Sequence, residues 1–283
     1  MVTLALLLAA FLAPRFPDGF ATSEESAGVF GPVRSIRTER ARYVFKDGKW
    51  VEGPRALGSV LEVDPARRRI TVTRILSDGT AADRTVFELD ASGRTIRKTK
   101  IAKDGKVYLV LTCEYDRNGR LAVRTVSHPL EDRSARAVYA RSADGAVQST
   151  AWFLNPPAEG VKTAYSYDRA GREAGRTTYD PKGSITDRVF IRYDRDGSRS
   201  ETWQEYFDGR VEATLRFDFD ARGNLTLQSF APGEEERFSY ELDAYGNPTT
   251  TTTTMCNLML GIRGRCRTES VDYNTITYYA ENK

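Results

Sequence analysis

GKVYLVLTCEYDRNGR, residues 105–120, is the stretch that decides the fold of this chain. Alternate residues of its first part are apolar and fall on one face of an extended strand: Val107, Leu109, Leu111, Cys113 and Tyr115. Apolar side chains at a period of two are typical of a half-buried β-strand. The stretch ends in Asp116-Arg117-Asn118-Gly119, which predicts a tight turn. In such a turn the Asp side chain accepts hydrogen bonds from backbone N–H groups two and three residues on, and Gly supplies a positive φ.

The same Asp-x-x-Gly turn recurs in steps of 26 residues or a multiple of 26. The predicted turn residues are Asp90 and Gly93, Asp116 and Gly119, Asp168 and Gly171, Asp194 and Gly197, and Asp220 and Gly223. A second glycine series, which contains Gly79, Gly105, Gly183 and Gly209, lies 14 residues ahead of the first. Two turns per period imply two strands per period. The repeating unit is therefore a β-hairpin together with its connection to the next hairpin.

This periodicity predicts an all-β fold. We expect tandem antiparallel β-hairpin repeats with a period of 26 residues, forming one curled, elongated or partly closed sheet. Proline at 127–136 and 154–160 interrupts the second glycine series and predicts longer loops there, because proline breaks strand pairing. The expected organisation is a signal peptide at 1–21, a leader and N-terminal capping hairpin at 22–52, hairpin repeats at 53–248, and C-terminal capping strands at 249–283.

The signature Tyr-Asp-x-x-Gly followed by Arg or Asn occurs at 115–120 and 167–172, a shorter match lies at 193–197, and a variant with Phe lies at 219–224. It resembles the YD (RHS) repeat, and the resemblance covers roughly residues 55–250. In that family, hairpins join edge to edge into a long curling sheet, and large members form a hollow shell around a toxin. This chain has about eight units and no recognisable toxin domain after them. The resemblance therefore implies a short non-toxin member, and a remnant of a larger toxin shell is the alternative.

Composition and the first residues indicate an exported protein. The chain has 283 residues, and 42 basic against 39 acidic side chains give a net charge of only +3, which does not favour nucleic acid as a partner. The apolar run at 2–13 is too short to span a bilayer but suits a signal peptide, with a small-x-small site at 19–21. A buried N-terminal strand or helix is the alternative. We expect a secreted or periplasmic protein with no transmembrane span after signal removal, whose partner is a protein or glycan of the cell envelope.

The three cysteines are compatible with export. Cys256 and Cys266 lie close in sequence and could close a small loop through a disulfide. Cys113 occupies an inward strand position and is expected to be a buried small hydrophobe. Two cysteines without a second pair or a nearby histidine make a poor zinc site, so neither a metal nor a cofactor is expected.

The sequence contains no catalytic motif that we recognise. His128 is the only histidine, and it precedes a proline in a predicted surface loop. The repeated Asp residues could suggest calcium, but turn capping explains them better, because the ligand series of a calcium loop is missing. Of the tryptophans, Trp203 is expected in the core, and Trp152 borders the irregular segment and is the possible ligand contact.

These observations favour an exported β-repeat scaffold or interaction protein that is not an enzyme. A glycan-binding module of the envelope is the second hypothesis, because exposed aromatic side chains stack on sugars. A hydrolase with a carboxylate pair is the third, although no spacing identifies the pair.

Overall fold

The computed structural model describes residues 32–155, 160–231, 234–257 and 265–279, and within these ranges the regular structure is entirely β-strand. The strands are β1 Val33–Lys46, β2 Lys49–Asp64, β3 Arg69–Ile75, β4 Ala81–Leu89, β5 Thr95–Ala102, β6 Val107–Tyr115, β7 Leu121–His128, β8 Arg133–Arg141, β9 Val147–Asn155, β10 Lys162–Tyr167, β11 Glu173–Tyr179, β12 Ile185–Tyr193, β13 Arg199–Phe207, β14 Arg210–Phe219, β15 Leu225–Ala231, β16 Glu234–Leu242, β17 Pro248–Asn257 and β18 Arg265–Tyr278.

The strands form one closed ring. Each strand pairs antiparallel with the next strand along the chain. The first and last strands also pair, from Val33 opposite Tyr278 to Arg42 opposite Ser270. The expectation of a curled, elongated or partly closed sheet was therefore wrong in one respect: the sheet closes into an 18-stranded barrel. Closure satisfies the backbone groups that two free edges would expose.

A barrel of this strand number is wide. Strands about 4.8 Å apart and tilted by roughly 40° would enclose a circular section about 35 Å across between backbones. The turns lie alternately at its two ends. We name the end that holds the turns after even-numbered strands, including the predicted turns with Asp90, Asp116, Asp168, Asp194 and Asp220, the YD rim. A further Asp-x-x-Gly turn, at Asp180 and Gly183, follows an odd-numbered strand and lies at the other end. The end that holds the turns after odd-numbered strands is the far rim.

Four of the five predicted Asp-x-x-Gly turns at this rim, which we name the YD turns, share one side-chain geometry, seen clearly at Asp116. Its Oδ1 accepts the backbone N–H groups of Asn118 at 2.8 Å and Arg120 at 2.9 Å, so the acceptor spans residues two and four on, and not two and three as expected. Gly119 has a φ of 76°. The same pair of bonds occurs at Asp90, where Oδ2 also accepts the Arg94 Nε–H at 2.7 Å. The exception is the turn at Asp194, where Asp196 Oδ1 accepts the Ser198 N–H at 3.0 Å.

Successive YD turns are locked to each other by side chains. The Arg94 guanidinium lies 4.4 Å from the ring centroid of Tyr115 in the next repeat, and the Tyr115 hydroxyl donates to the Thr95 carbonyl at 2.8 Å. In the following repeats the Tyr167 hydroxyl and the Arg141 guanidinium reach the carbonyl 20 residues back in the same way. Each turn therefore stabilises its neighbour as well as its own hairpin.

The two faces of the wall differ in exposure. On β14, Phe217 and Phe219 are 9% and 8% exposed, whereas Thr214 and Arg216, which point to the opposite face, are exposed. Side chains converge on the concave face of a closed sheet and diverge on the convex face, so the less exposed face is the inner one. The cross-strand register carries this assignment around the ring.

The segment predicted as irregular is more regular than expected. β7 and β8 remain paired as far as His128 opposite Arg133, and the Glu131 N–H donates to the His128 carbonyl. Pro129 therefore occupies a short turn and does not break the pairing, because it follows the last paired residue. His128, expected in a surface loop, is the last residue of β7. β9 continues to Asn155, and the prolines at 156 and 157 lie outside the described residues.

Candidate functional site

The inner face of β11–β13 carries an ionic cluster whose central pair is almost completely buried. The Arg176 side chain is 4% exposed and that of Glu201 is 2% exposed, and they face each other across β12. Arg176 Nη1 donates to Glu173 Oε1 at 2.7 Å, and its Nη2 lies 3.6 Å from Glu201 Oε2. On the other side of the carboxylate, Arg199 Nε donates to Glu201 Oε1 at 3.1 Å. Two arginines thus share one buried carboxylate.

Aromatic rings cover this cluster. The Arg176 guanidinium lies 5.0 Å from the ring centroid of Trp203, and that of Arg199 lies 4.0 Å from the centroid of Phe219. Trp203 in turn meets Phe217 edge to face at 6.0 Å, and its indole N–H points to Glu201 Oε2 at 3.4 Å. The register of β12–β14 produces this arrangement because it places Trp203 between Val189 and Leu215 on the inner face.

The surroundings of the cluster have a low polarity. Burial raises the pKa of the nearby Tyr193 hydroxyl above its ordinary value of 10.0. Arg176 Nη2 is buried and has no hydrogen-bond partner in the structure. A buried ion pair of this kind gains little net stability over an apolar core, but losing one member leaves an uncompensated charge. The cluster therefore fixes the inner surface more than it strengthens the fold.

On the other side of the ring, basic side chains lie within an apolar surface. Lys98 is 5% exposed and pairs across strands with Phe87 and Leu111. Its ammonium lies 5.5 Å from the Phe87 ring centroid. Arg124, which is 3% exposed, pairs with Cys113. The inner face is thus a mixed surface of rings, aliphatic side chains and charges, suited to contacts with a polar partner.

Two acidic residues lie opposite each other in the sheet register on the inner face. Asp187 of β12 and Glu205 of β13 are cross-strand partners. The Asp187 carboxylate accepts the Thr178 hydroxyl at 3.0 Å and the Thr186 hydroxyl at 3.1 Å. Like charges directly opposite are unfavourable in a sheet, so the pair is held by its surroundings. The sequence alone identified no such pair, because strand register decides it.

The structure distributes the predicted site residues over separate places. Asp90, Asp168, Asp194 and Asp220 lie with Asp116 in the turns of the YD rim, and the glycine of each turn has a positive φ. Cys256 and Cys266 form a disulfide between β17 and β18 at a Cα–Cα distance of 4.0 Å. Trp152 pairs with Ala137 through its backbone, and its side chain lies outside the described residues. Cys113 is a buried thiol in the core cluster of Leu111, Val126 and Ala137.

The predicted residues do not converge on one site, and the ionic cluster was missed. Its signal was present, because Arg199, Glu201 and Trp203 alternate on one strand face that also holds Phe217 and Phe219 in register. The ionic cluster was not predicted because only apolar residues were considered at the inward-facing strand positions. Among the described residues, no group of three His, Cys, Asp or Glu side chains could hold a metal ion. No helix in the described ranges is long and apolar enough to span a membrane.

Comparison with known proteins gives only distant structural likenesses. No family model matches the sequence, and no curated protein matches it. A porin-like protein from Bacteroides uniformis is similar over 88% of this chain and 98% of its own, at 10% identity and a TM-score of 0.44. The Photorhabdus luminescens Tc holotoxin pore is similar over 72% of this chain at 12% identity and a TM-score of 0.33, and a TcdB2-TccC3 structure over 81% at 14% identity and 0.26. The matched part spans 13% and 15% of those two larger chains.

Proposed function

We propose that the mature chain is an exported β-barrel scaffold, secreted or periplasmic, that binds a protein or glycan of the cell envelope and catalyses no reaction. The observation that carries the proposal is the inner face of the closed ring, where the partly exposed ring of Trp203 lies beside the buried charges of Arg176 and Glu201. Mixed aromatic and charged surfaces are typical of binding sites. In this proposal residues 1–21 are removed as a signal peptide.

The charged side chains of the outer face favour a barrel that is surrounded by water and not by lipid. Exposed arginines lie in the middle of outer-face strand segments, namely Arg84, Arg97, Arg136 and Arg216. An arginine on the lipid-facing side of a membrane barrel costs about 2–4 kcal/mol at the middle of the bilayer. The inner face carries buried charges as well, so neither face offers a continuous apolar band.

In-cell photo-crosslinking tests the scaffold proposal. A photoreactive phenylalanine analogue replaces Leu215 on the inner face in one variant and Thr214 on the outer face in the other, so the two probes are adjacent on β14. We expect an adduct with an envelope protein or glycan from position 215 and none from position 214. Adducts from neither position, or from position 214 alone, would contradict the proposal.

Glycan binding is the form of this function that the aromatic cluster favours. Trp203 is partly exposed and is held in place by the buried Glu201 carboxylate and Arg176 guanidinium, and an indole ring fixed in this way can stack on a sugar ring. Pull-down on envelope glycans is expected to weaken in Trp203→Ala and, following the sequence-based prediction, in Trp152→Ala. If both variants bind as the wild type does, the partner is not a glycan held by these rings.

A carboxylate-pair hydrolase is the alternative function, and Asp187 opposite Glu205 is the observation that favours it. Glycoside hydrolysis needs two carboxyl groups roughly 5–9.5 Å apart. Screening with chromogenic glycosides tests it: activity that is lost in both Asp187→Asn and Glu205→Gln, with unchanged melting temperatures, would establish the enzyme and refute the scaffold proposal.

A further inference from the structure

Exposed apolar side chains concentrate at the far rim. Eight of the twelve large hydrophobic side chains that are exposed among the described residues belong to its turns or lie beside them. They are Val44, Phe45, Trp50 and Val51 at the β1–β2 turn, Leu76 at the β3–β4 turn, Leu130 at the β7–β8 turn, and Phe207 and Val211 at the β13–β14 turn. Large exposed apolar groups collected in one region of a surface mark an interaction site.

The β1–β2 hairpin projects beyond this rim. β2 pairs with β3 only from Ser59 onward, and the ladder between β1 and β18 ends at Arg42. The projecting part is apolar on both faces, because Val44 pairs with Val51 on one face and Phe45 with Trp50 on the other. Phe45 is 64% exposed and Trp50 is 44% exposed. A flat protein surface could cover only one of these two apolar faces. A ribbon of this kind is therefore better buried in surroundings that enclose it on both sides.

The outer edge of this ribbon is unsuited to strand addition. Residues Lys49–Gly58 have no ladder partner on the side of β3, which would normally invite another strand. Pro54 has no N–H group to donate, and together with Gly53 it forms a bulge of β2 opposite Arg42. The projecting hairpin therefore offers side chains, and not backbone groups, to a partner.

Basic side chains outnumber acidic ones at the projecting hairpin, where Arg42, Lys46, Lys49 and Arg55 accompany Asp47 and Glu52. Lys46 and Lys49 flank the β1–β2 turn and are exposed, and the Arg267 guanidinium lies 4.5 Å from the Trp50 ring centroid. The β5–β6 turn begins and ends with the exposed Lys103 and Lys106, of which Lys106 pairs with Asp104 of the same turn at 3.0 Å. Aromatic rings next to lysines are characteristic of groups that settle at the headgroup level of an anionic bilayer, where each lysine near the surface contributes about 1 kcal/mol.

We propose that the far rim docks peripherally on an anionic lipid surface. The tips are distributed around one end of a wide ring, so they match a broad, flat target and not a small ligand. Phe45 and Trp50 enter the boundary between headgroups and acyl chains, and the neighbouring lysines pair with lipid phosphates. The YD rim and the partly exposed side chains of the inner face, such as Trp203, remain available for the partner proposed above.

Vesicle sedimentation tests this assignment. The mature protein is mixed with vesicles of phosphatidylcholine alone or with 30% phosphatidylglycerol, at about 0.1 M and 0.5 M salt. We expect sedimentation with the anionic vesicles at low salt, at least a tenfold loss in affinity for Phe45→Ala/Trp50→Ala, and a comparable loss for Lys46→Glu/Lys49→Glu. Phe190→Ala is the matched control, because Phe190 is also apolar and 50% exposed but lies on the outer wall. It is expected to bind within twofold of the wild type.

Each other outcome has a definite meaning. Failure of the wild type to bind anionic vesicles, or undiminished binding by the tip variants, overturns lipid docking. If the tip variants lose retention on cell envelopes while the wild type ignores pure lipid, the partner at this rim is a protein and lipid docking is refuted. Binding that survives 0.5 M salt and carbonate extraction would indicate an integral barrel, which contradicts the proposed function as well. The crosslinking from position 215 is independent of all these results.

Discussion

Gly119 and Gly171 allow the cost of a backbone conformation to be separated from the cost of a lost contact between repeats. Both are the glycine of a YD turn, with φ values of 76° and 77°. A Cβ added at Gly119 would lie 2.4 Å from Nη1 of Arg94, whereas a Cβ at Gly171 would meet nothing within 4 Å. Substitution by alanine therefore imposes the same backbone strain at both sites and displaces a neighbour at only one.

The expected magnitudes follow from these contacts. Placing a residue with a Cβ in the left-handed region costs about 1–2 kcal/mol, which is the whole effect expected for Gly171→Ala. At Gly119 the alanine also moves the Arg94 guanidinium from the Tyr115 ring and from Asp90, contacts of 4.4 Å and 2.6 Å. An exposed cation–π contact and an exposed ion pair together contribute roughly 0.5–1.5 kcal/mol. Gly119→Ala is therefore expected to lose about 1.5–3.5 kcal/mol.

Urea unfolding followed by circular dichroism measures both free energies of unfolding. Arg94→Ala supplies the decisive control, because in that background the extra loss at Gly119 should disappear and both alanine variants should cost the same. Equal losses for Gly119→Ala and Gly171→Ala in the wild-type background would refute the idea that the arginine of one turn packs on the glycine of the next. A larger loss at Gly171 would show that the turn assignment itself is wrong.

Three further outcomes are expected. Replacing Cys256 and Cys266 by serine should lower the free energy of unfolding by about 2–3 kcal/mol, because the bridge spans a sequence separation of only 10 residues, and a reductant should lower the wild-type melting temperature but not that of the variant. Glu201→Gln should cost about 1.5–3 kcal/mol, because the partly buried Arg199 and the buried Arg176 lose the carboxylate that they share while Arg176 keeps its bond to Glu173, whereas Glu235→Gln, which breaks an exposed pair with an arginine, should cost at most about 1 kcal/mol. Backbone N–H groups lower the pKa of Asp116, so the stabilising effect of its carboxylate is complete above about pH 4 and is lost as the pH falls further. The difference in free energy of unfolding between the wild type and Asp116→Asn should therefore decrease below about pH 4 in acid titrations.

The local structure of the repeats could be predicted from the sequence because the strand pattern and the turn type are both determined by residues within one hairpin. Period-two alternation marks the strand, and an Asp and a Gly three residues apart mark the turn, so the strands that begin at Thr95, Leu121 and Glu173 follow the 26-residue step. The turn at Gly119 needs no distant partner to form. The prediction of long loops near Pro129 failed because a proline was taken as a break in pairing, although it follows the last paired residue, His128.

The inner ionic cluster could be predicted only in part. Arg176 and Glu201 lie on strands that are not adjacent, and their contact depends on the register of three strands at once. A slip by one residue in any of these ladders would turn one partner to the outer face. Alternation within a strand gives the face of each residue, but the pairing of a charge with a charge two strands away requires the assembled sheet.

Closure of the ring cannot be predicted from a local sequence pattern, because the seam, where β1 pairs with β18, joins residues that are far apart in the chain. Arg40 donates two hydrogen bonds to Asp272, at 2.6 Å and 2.7 Å, and the Thr38 hydroxyl donates to Asn274 at 2.7 Å, across 232 and 236 residues of sequence. Neither strand of the seam carries the YD signature, so the repeat cannot specify this contact, and specific side-chain pairs take its place. β1 and β18 therefore do more than cover two exposed edges. Their pairing closes the sheet into a ring. This closure produces the inner face and the two unlike rims on which the proposed functions depend.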